Sequence, residues 1–593
     1  MVNHSTLLLA AEGELTRTIA IILFLGVGGQ WLASRLRIPG VLLLLVSGIL
    51  VGPVFDIIRP EEQIGSTVLF PVVSLAVGLL LYEGGLGLKI DRLTAGRSAV
   101  LRLVTVGALV TWLVGWAATA WLFDVSTSAA ALIGAILVVS GPTVVIPLLH
   151  LARPREPSGG ILRWEGIIID PVGATLAIVV LDATLEDKGP AAAALQIGIT
   201  LGAGAVAGVI VALIAMLVLH KHWIPDQFVN PAMIAAAVVA FAAADQIRPE
   251  AGLMATTMLG LVLANQHLVS SHQLTAFSED VGHLILGTLF IVLGALVDLD
   301  DLQKVFPEAL VLIAILVVVA RPLSVWISTV GSGLQRNDKL FLMWMAPRGI
   351  VAASVATVFS QTLAEEGEAV PELVPIVFAT VIVTVALYGL TATAVAKRTR
   401  VAKTQPTGIA LVSNSRFAVD LADMLAAQEV PVLVVSTSAT IQRAAFNRGL
   451  LAYDRPLDSH DFDLTLDGVG IKHAILLTDD ENFASHASSH LAEHLGRANL
   501  YQVPPDDADD EFELRVRPAF GDLTYSRLSA GARTGGFHTL KVKDLRAADT
   551  PLFVINDDET CALISGAPPE DATVIAVTPD LSQSRRETDQ VTT

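Results

Sequence analysis

The sequence predicts a polytopic α-helical membrane protein of about thirteen transmembrane helices, with inverted repeats and broken crossing helices, followed by a soluble α/β tail. Three observations predict it. The 593-residue chain is 53% hydrophobic with a mean hydropathy of +0.64, too apolar for an ordinary soluble protein. Between Leu15 and Ala396 the apolar residues fall into runs of roughly 18–25, the length that crosses about 30 Å of hydrocarbon. After Lys403 those runs stop, charge rises, and short apolar stretches alternate with helical ones.

Candidate spans begin near residues 15, 39, 66, 98, 126, 160, 191, 228, 250, 279, 305, 337 and 371. Basic residues orient them, because loops rich in Lys and Arg stay on the cytoplasmic side. Arg35, Arg37, Lys89, Arg153, Arg155, Lys221, Arg336, Lys397 and Arg398 fall in alternate loops. The opposite loops hold Arg59, Lys188, Arg248 and Lys304, beside the acidic EEGEAVPE (365–372). The expected topology in the cell membrane therefore has the N-terminus outside and the tail in the cytoplasm. The start of the chain carries Glu12 and Glu14 and lacks a basic n-region, so a cleaved signal peptide is not expected.

Thirteen spans divide as six, a linker and six, which is the arithmetic of an inverted repeat. In such folds the discontinuous helices mark the transport site. The fifth span contains VVSGPTVVIP (138–147), where Gly141 and Pro142 break the backbone ladder. The twelfth carries MAPRGIVAA (345–353), with Pro347 and Gly349 flanking Arg348. Broken helices persist in a membrane where they line a polar cavity. TVGSG (329–333) looks like a potassium-filter loop but ends a span with no pore helix before it, so it carries no channel argument.

Ionisable groups at bilayer depth are costly and face a pathway or a partner. RWEGIIIDPVGATLAIVV (163–180) brings two, Glu165 and Asp170. Five residues at about 100° each set them about 140° apart, on different faces of one helix. Asp170, followed by Pro171 and Gly173, is the expected ion site. One carboxylate holds a proton or a hard cation but not both, and that competition is an exchange mechanism. Glu165 is expected to pair with Arg348, since unpaired charges would be ruinous there. Arg321 and Glu83 are weaker candidates.

SGPTVVIPLL (140–149), EGIIIDPVGA (165–174) and APRGIVAASVA (346–356) together resemble the monovalent cation/proton antiporter superfamily, in its sodium/proton-exchanger-like (NhaP-type) branch. RIPGVLLLLVSGILVGP (37–53) and FIVLGALVDL (290–299) are secondary echoes. The resemblance covers residues 1–400. It implies a thirteen-helix fold, a homodimer, a core that moves against a dimerisation part, and Asp170 as the cation and proton carrier. It also implies that Glu165 and Arg348 form a buried ion pair. The chain departs from the family where Ser140-Gly141-Pro142-Thr143 replaces Thr-Asp-Pro and Ile169-Asp170 replaces Asn-Asp. With one carboxylate, a proton exchanged for one cation is electroneutral. Ser140, Thr143 and backbone carbonyls must then supply the other ligands, which leaves Na⁺ as first choice with K⁺ or Li⁺ open.

The net charge is −19, and from Thr404 onward 29 acidic against 15 basic residues give −14 of it. That balance excludes a nucleic-acid partner. Cys561 is the single cysteine, so a disulfide framework is impossible. GIALVS (408–413), VPVLVVS (430–436), HAILLTD (473–479) and NLYQVP (499–504) read as strands of a Rossmann-like domain over 405–505. It looks like the TrkA-N or RCK type. The Gly-rich phosphate fingerprint is missing from SNSRFAVD (413–420), and Ser436-Thr437 stands where an acid would hold a ribose, so no cofactor is expected. DDADDEFE (506–513) reads as a linker to a small α+β regulatory unit over 514–580, with residues 581–593 disordered. No nucleophile–base or metal-ligand cluster is legible, which excludes an enzyme reading. A tail-regulated cation channel and a transport-inactive membrane sensor are the competing classes.

Overall fold

The computed structural model describes residues 4–578, apart from 37, 91–95, 187–189, 267–271, 403–407, most of 454–468, 505–515, 522, 547–548, 556–560 and 564–571. The expected linker at 506–513 and the expected disordered end at 581–593 lie outside the described residues. Two compact units form, residues 1–402 and 403–593.

Among the described residues every regular element of the first unit is a helix. Its principal elements are α1 (His4–Leu36), α2 (Gly40–Ile49), α3 (Ser66–Leu86), α4 (Arg97–Leu122), α5 (Thr127–Ile136) and α6 (Pro142–Ala152), then α7 (Ser158–Glu186) and α8 (Pro190–His220). There follow α9 (Asp226–Ile247), α10 (Ala251–Ala264), α11 (His272–Ala295), α12 (Leu299–Ser328), α13 (Arg336–Trp344), α14 (Ile350–Glu365) and α15 (Leu373–Arg398). Among the described residues nine helices are long and apolar enough to cross a membrane, and shorter apolar helices complete the set. The chain is a multi-pass α-helical membrane protein. Phe24, Trp31, Leu195 and Ile214 stand exposed on α1 and α8, as side chains facing lipid would.

Packing is closest where glycines remove side chains. Gly85 of α3 and Gly260 of α10 meet backbone to backbone, a Cβ on Gly85 falling 3.1 Å from the Gly260 Cα. Gly166 and Gly173 let α7 lie against both sides of the interrupted span. A Cβ on Gly166 would meet Val145 of α6 at 3.1 Å, and one on Gly173 would meet Val139 at 2.7 Å. The helix that carries Glu165 and Asp170 is thereby held against the interruption between α5 and α6.

The second unit contains two sheets. Strands β1 (Gly408–Val412), β2 (Val432–Val435), β3 (Leu451–Tyr453), β4 (Ile471–Leu476), β5 (Leu500–Gln502) and β6 (Arg517–Pro518) form a parallel sheet in the order β3-β2-β1-β4-β5-β6. Helices α16 (Arg416–Ala426), α17 (Ala439–Phe446) and α18 (Glu481–Leu495) connect its strands. Fully buried β1 and β2 read as continuous apolar runs, as strands covered on both faces do. After α19 (Tyr525–Arg533), strands β7 (Phe537–Lys541), β8 (Thr550–Ile555), β9 (Cys561–Leu563) and β10 (Thr573–Val577) pair antiparallel in the order β7-β10-β8-β9. The segment expected to begin a separate unit at 514 instead starts by adding β6 to the parallel sheet. Pro518 suits that edge, where its missing N–H breaks no ladder. One apolar cluster runs from Ile409 and Phe417 to Leu552 and Phe553, so both sheets share a core.

Candidate functional site

Helix α5 stops at Ile136 and α6 starts at Pro142, while α13 stops at Trp344 and α14 starts at Ile350. The two non-helical stretches touch. A Cβ on Gly349 would lie 2.8 Å from the Gly141 backbone nitrogen and 3.1 Å from its Cα. Asp170 of α7 closes the same spot, because a Cβ on Gly141 would fall 2.8 Å from Oδ2 and 3.1 Å from Oδ1. Asp170 is 0% exposed, and neither carboxylate oxygen has a hydrogen-bond partner among the described residues. Buried polar groups are almost always satisfied, so a fully orphaned carboxylate marks a place where a ligand belongs.

The expected pairing of Glu165 with Arg348 is corrected by the structure. Glu165 is bound by Arg321 of α12, Nη1 donating to Oε1 and Nη2 donating to Oε2 at 2.9 Å. Nε of Arg321 donates to the Leu342 carbonyl at 2.9 Å, so the guanidinium is held from both sides. Both residues are buried, and a bidentate fork is the geometry that best offsets desolvation. Arg348 has another task. Its Nη1 donates to the Val138 carbonyl at 3.1 Å. In a continuous helix that carbonyl would accept from the nitrogen of residue 142, which is Pro142 and has no N–H. The break in the backbone thus creates the acceptor that Arg348 takes. Thr384 of α15 accepts the Arg348 backbone N–H at 3.2 Å and fixes the second interruption.

The two candidate hydroxyls separate. Ser140 lines a small cavity with Glu165, Ile169, Arg321 and Arg348. Thr143 is buried, its Oγ1 has no hydrogen-bond partner among the described residues, and it lines a cavity of about 550 Å³ with Glu83, Pro142, His150, Arg163, Glu279 and His283. A second cavity of about 360 Å³, lined by Asp245, Glu250, Ser66, Thr67, Ser354 and Gln361, lies among α3, α9, α10 and α14. Asp170 lines neither. Pro347 sits between Ala346 and Arg348 in the second interruption.

Arg321 and Glu83 are only weaker candidates in the sequence, and Asp245, Glu250 and Glu279 are not among its candidates. Arg321 stands alone in the apolar run IAILVVVARPLSVW (313–326), which was the available signal. Glu83 fills room that Gly282 leaves on the opposite wall of the larger cavity. Among the described residues no group of three or more His, Cys, Asp or Glu is placed to hold a metal.

In the tail, the loop after β1 is tied to its own neighbours. Asn414 Oδ1 accepts from Ser436 Oγ at 2.8 Å and from the Thr437 backbone N–H at 3.0 Å, and its Nδ2 donates to Thr437 Oγ1 at 2.9 Å. Ser415 shares a hydrogen bond with Tyr525 of α19, whose ring lies 5.7 Å from that of Phe417.

Comparison with known proteins gives a consistent picture. A family profile described as sodium/hydrogen exchanger, transmembrane, matches residues 19–398. The chain is 26% identical over 375 residues to the Na(+)/H(+) antiporter 1 of Methanocaldococcus jannaschii, covering 60% of this chain and 85% of that one. It is 24% identical over 340 residues to the K(+)/H(+) antiporter NhaP2 of a Shewanella strain, spanning 55% of this chain and only 57% of that relative. The solved structure of the sodium proton antiporter MjNhaP1 from Methanocaldococcus jannaschii at pH 8 superposes with a TM-score of 0.57 at 23% identity. That match covers 66% of this chain and 99% of the other, a likeness of fold.

Proposed function

The chain belongs to the sodium/hydrogen exchanger family, and on that premise we propose that it is a secondary antiporter exchanging one monovalent cation for one proton at Asp170. The carrying observation is the buried, unpartnered Asp170 carboxylate where two interrupted helices meet. A cation or a proton neutralises it, and each excludes the other.

Two cavities support an alternating-access reading. The larger one reaches Pro142 and Thr143, the smaller one lies against α10 and α14, and Asp170 is closed to both. In our reading a core of α5, α6, α7, α13 and α14 moves as one body against the remaining helices, elevator fashion, within thirteen crossings related by inverted repeats. A homodimer, an outside N-terminus and a cytoplasmic tail complete the proposal. With a single titrating carboxylate the exchange is electroneutral. In our reading the tail regulates without a nucleotide, which the engagement of the Asn414 and Ser415 side chains with Ser436, Thr437 and Tyr525 supports.

The test is a ΔpH-dependent dye assay in proteoliposomes. Addition of cation should dissipate an imposed proton gradient, and Asp170→Ala should abolish the response. Full exchange by Asp170→Ala would sink the proposal. Electroneutrality predicts rates independent of a clamped membrane potential.

A further inference from the structure

We infer that Gly141 determines which cation the carrier takes, and that the site selects the larger alkali ions, K⁺ and Rb⁺, over Na⁺ and Li⁺. The inference rests on the exchange reading above.

A cation enters a dry site when the oxygens there replace its hydration shell without net loss, and the field strength of those oxygens decides the winner. Smaller ions are more strongly hydrated, so Li⁺ and Na⁺ ask more of the site. Charged oxygens return more to a small ion than to a large one, because Coulomb energy rises as the distance shrinks. Two converging carboxylates favour the small ions. One carboxylate among neutral dipoles leaves the hydration difference uncompensated, and the large ions win.

The structure leaves room for one carboxylate. Asp170 occupies the space into which a Gly141 side chain would project, with Oδ2 2.8 Å, Oδ1 3.1 Å and Cγ 3.2 Å from where a Cβ would stand. On the other side Gly349 presses on the Gly141 backbone, a Cβ there falling 2.8 Å from its nitrogen. At the point of contact both interrupted segments present a glycine, Gly141 and Gly349, and the Arg348 guanidinium is used on the Val138 carbonyl. The residue preceding Asp170 is Ile169, buried in an apolar cluster with Val104, Ala108 and Val138. The neutral ligands are also reduced. Ser140 lines the cavity of the ion pair, and the Val138 carbonyl is held by Arg348. Thr143, 3% exposed and with its Oγ1 unpartnered among the described residues, offers a hydroxyl beside the crossing, 3.7 Å from a Cβ on Gly349. Glu250 lines the cavity of about 360 Å³, which Asp170 does not line.

The experiment is a half-saturation series for K⁺, Rb⁺, Na⁺ and Li⁺ with the full chain in proteoliposomes, read as dissipation of an imposed ΔpH. K⁺ and Rb⁺ should half-saturate at concentrations about tenfold below Na⁺ and Li⁺. Na⁺ or Li⁺ half-saturating at or below K⁺ overturns the inference while the exchange reading stands. Silence toward all four ions overturns the exchange reading instead. Gly141→Asp, eluting as a monodisperse protein, should shift the K⁺/Na⁺ ratio toward Na⁺ by about tenfold; an unchanged ratio overturns the role of Gly141. Should that variant not fold, Thr143→Val removes a neutral ligand and should raise all half-saturation values while keeping K⁺ ahead. An inverted order in Thr143→Val overturns the single-carboxylate argument.

Discussion

Arg348 donates through Nη1 to the carbonyl of Val138 at 3.1 Å, the acceptor that Pro142 leaves without its helical donor. An arginine in one interrupted segment thus satisfies the other, and the two breaks form one structure.

The first prediction follows from that contact. Arg348→Ala leaves the Val138 carbonyl buried and unpaired, at a cost of about 1–3 kcal/mol. Arg348→Lys keeps a donor on that side of the interruption, so it should cost less than Arg348→Ala. Thermal melting of the three proteins in detergent measures the difference, and equal losses for the two variants would contradict the assignment.

Glu165 and Arg321 give the second. Removing one partner of a buried pair strands a charge, so Glu165→Gln or Arg321→Met should each destabilise by about 3–5 kcal/mol. The double variant should recover most of it. A Glu165 and Arg348 cycle should show little coupling, on the order of 0.5 kcal/mol or less. Coupling to Arg348 larger than coupling to Arg321 would restore the pairing that the sequence alone suggests.

Competition at Asp170 gives the third. Where protons and cations contend for one carboxylate, the apparent cation half-saturation should rise about tenfold per unit fall in pH, with the maximal rate unchanged. Initial rates in proteoliposomes at matched pH on both sides check this. A lowered maximal rate at constant half-saturation would place the proton elsewhere.

The tail supplies the fourth. Burial alone would raise the Asp549 carboxyl, but donation from the Arg546 backbone N–H, Thr578 and the nearby His538 outweighs it and holds the group below its ordinary value. A lowered folded value means stability that is present above about pH 4 and is lost as pH falls further. The hydrogen-exchange protection factors of β7 and β10 in the full chain, taken against the intrinsic rate at each pH, should therefore fall below that pH. Asp549→Asn should weaken the protection at neutral pH and flatten its acid dependence.

What the sequence made visible is what is written locally. Proline removes an N–H wherever it stands, so the Gly141-Pro142 and Pro347-Arg348-Gly349 stretches announce themselves without a fold. The partner of Glu165 does not, because Arg321 is 156 residues away and packing alone brings α12 to α7. Arg348 looked equally suitable in one dimension. Its charge turned out to be spent on a carbonyl, and a carbonyl carries no signature in the sequence. Ser140 and Thr143, three residues apart, line different cavities, which depends on how the backbone turns after Val138. In the tail, the apolar runs mark β1 and β2. The two-residue β6 is too short to stand out, so the boundary at 514 cut through a shared core.

The orphaned Asp170 carboxylate has an electrical consequence. Ionised and empty, it is an uncompensated charge in a dry interior, a state costing several kcal/mol. On the proposed cycle the unloaded carrier is therefore the one form that cannot make the journey, and the return stroke needs a passenger. On that cycle leakage would be suppressed by the same missing hydrogen bonds that make the site conspicuous. A cell could hold its ion gradient behind this protein without any separate gate to shut it.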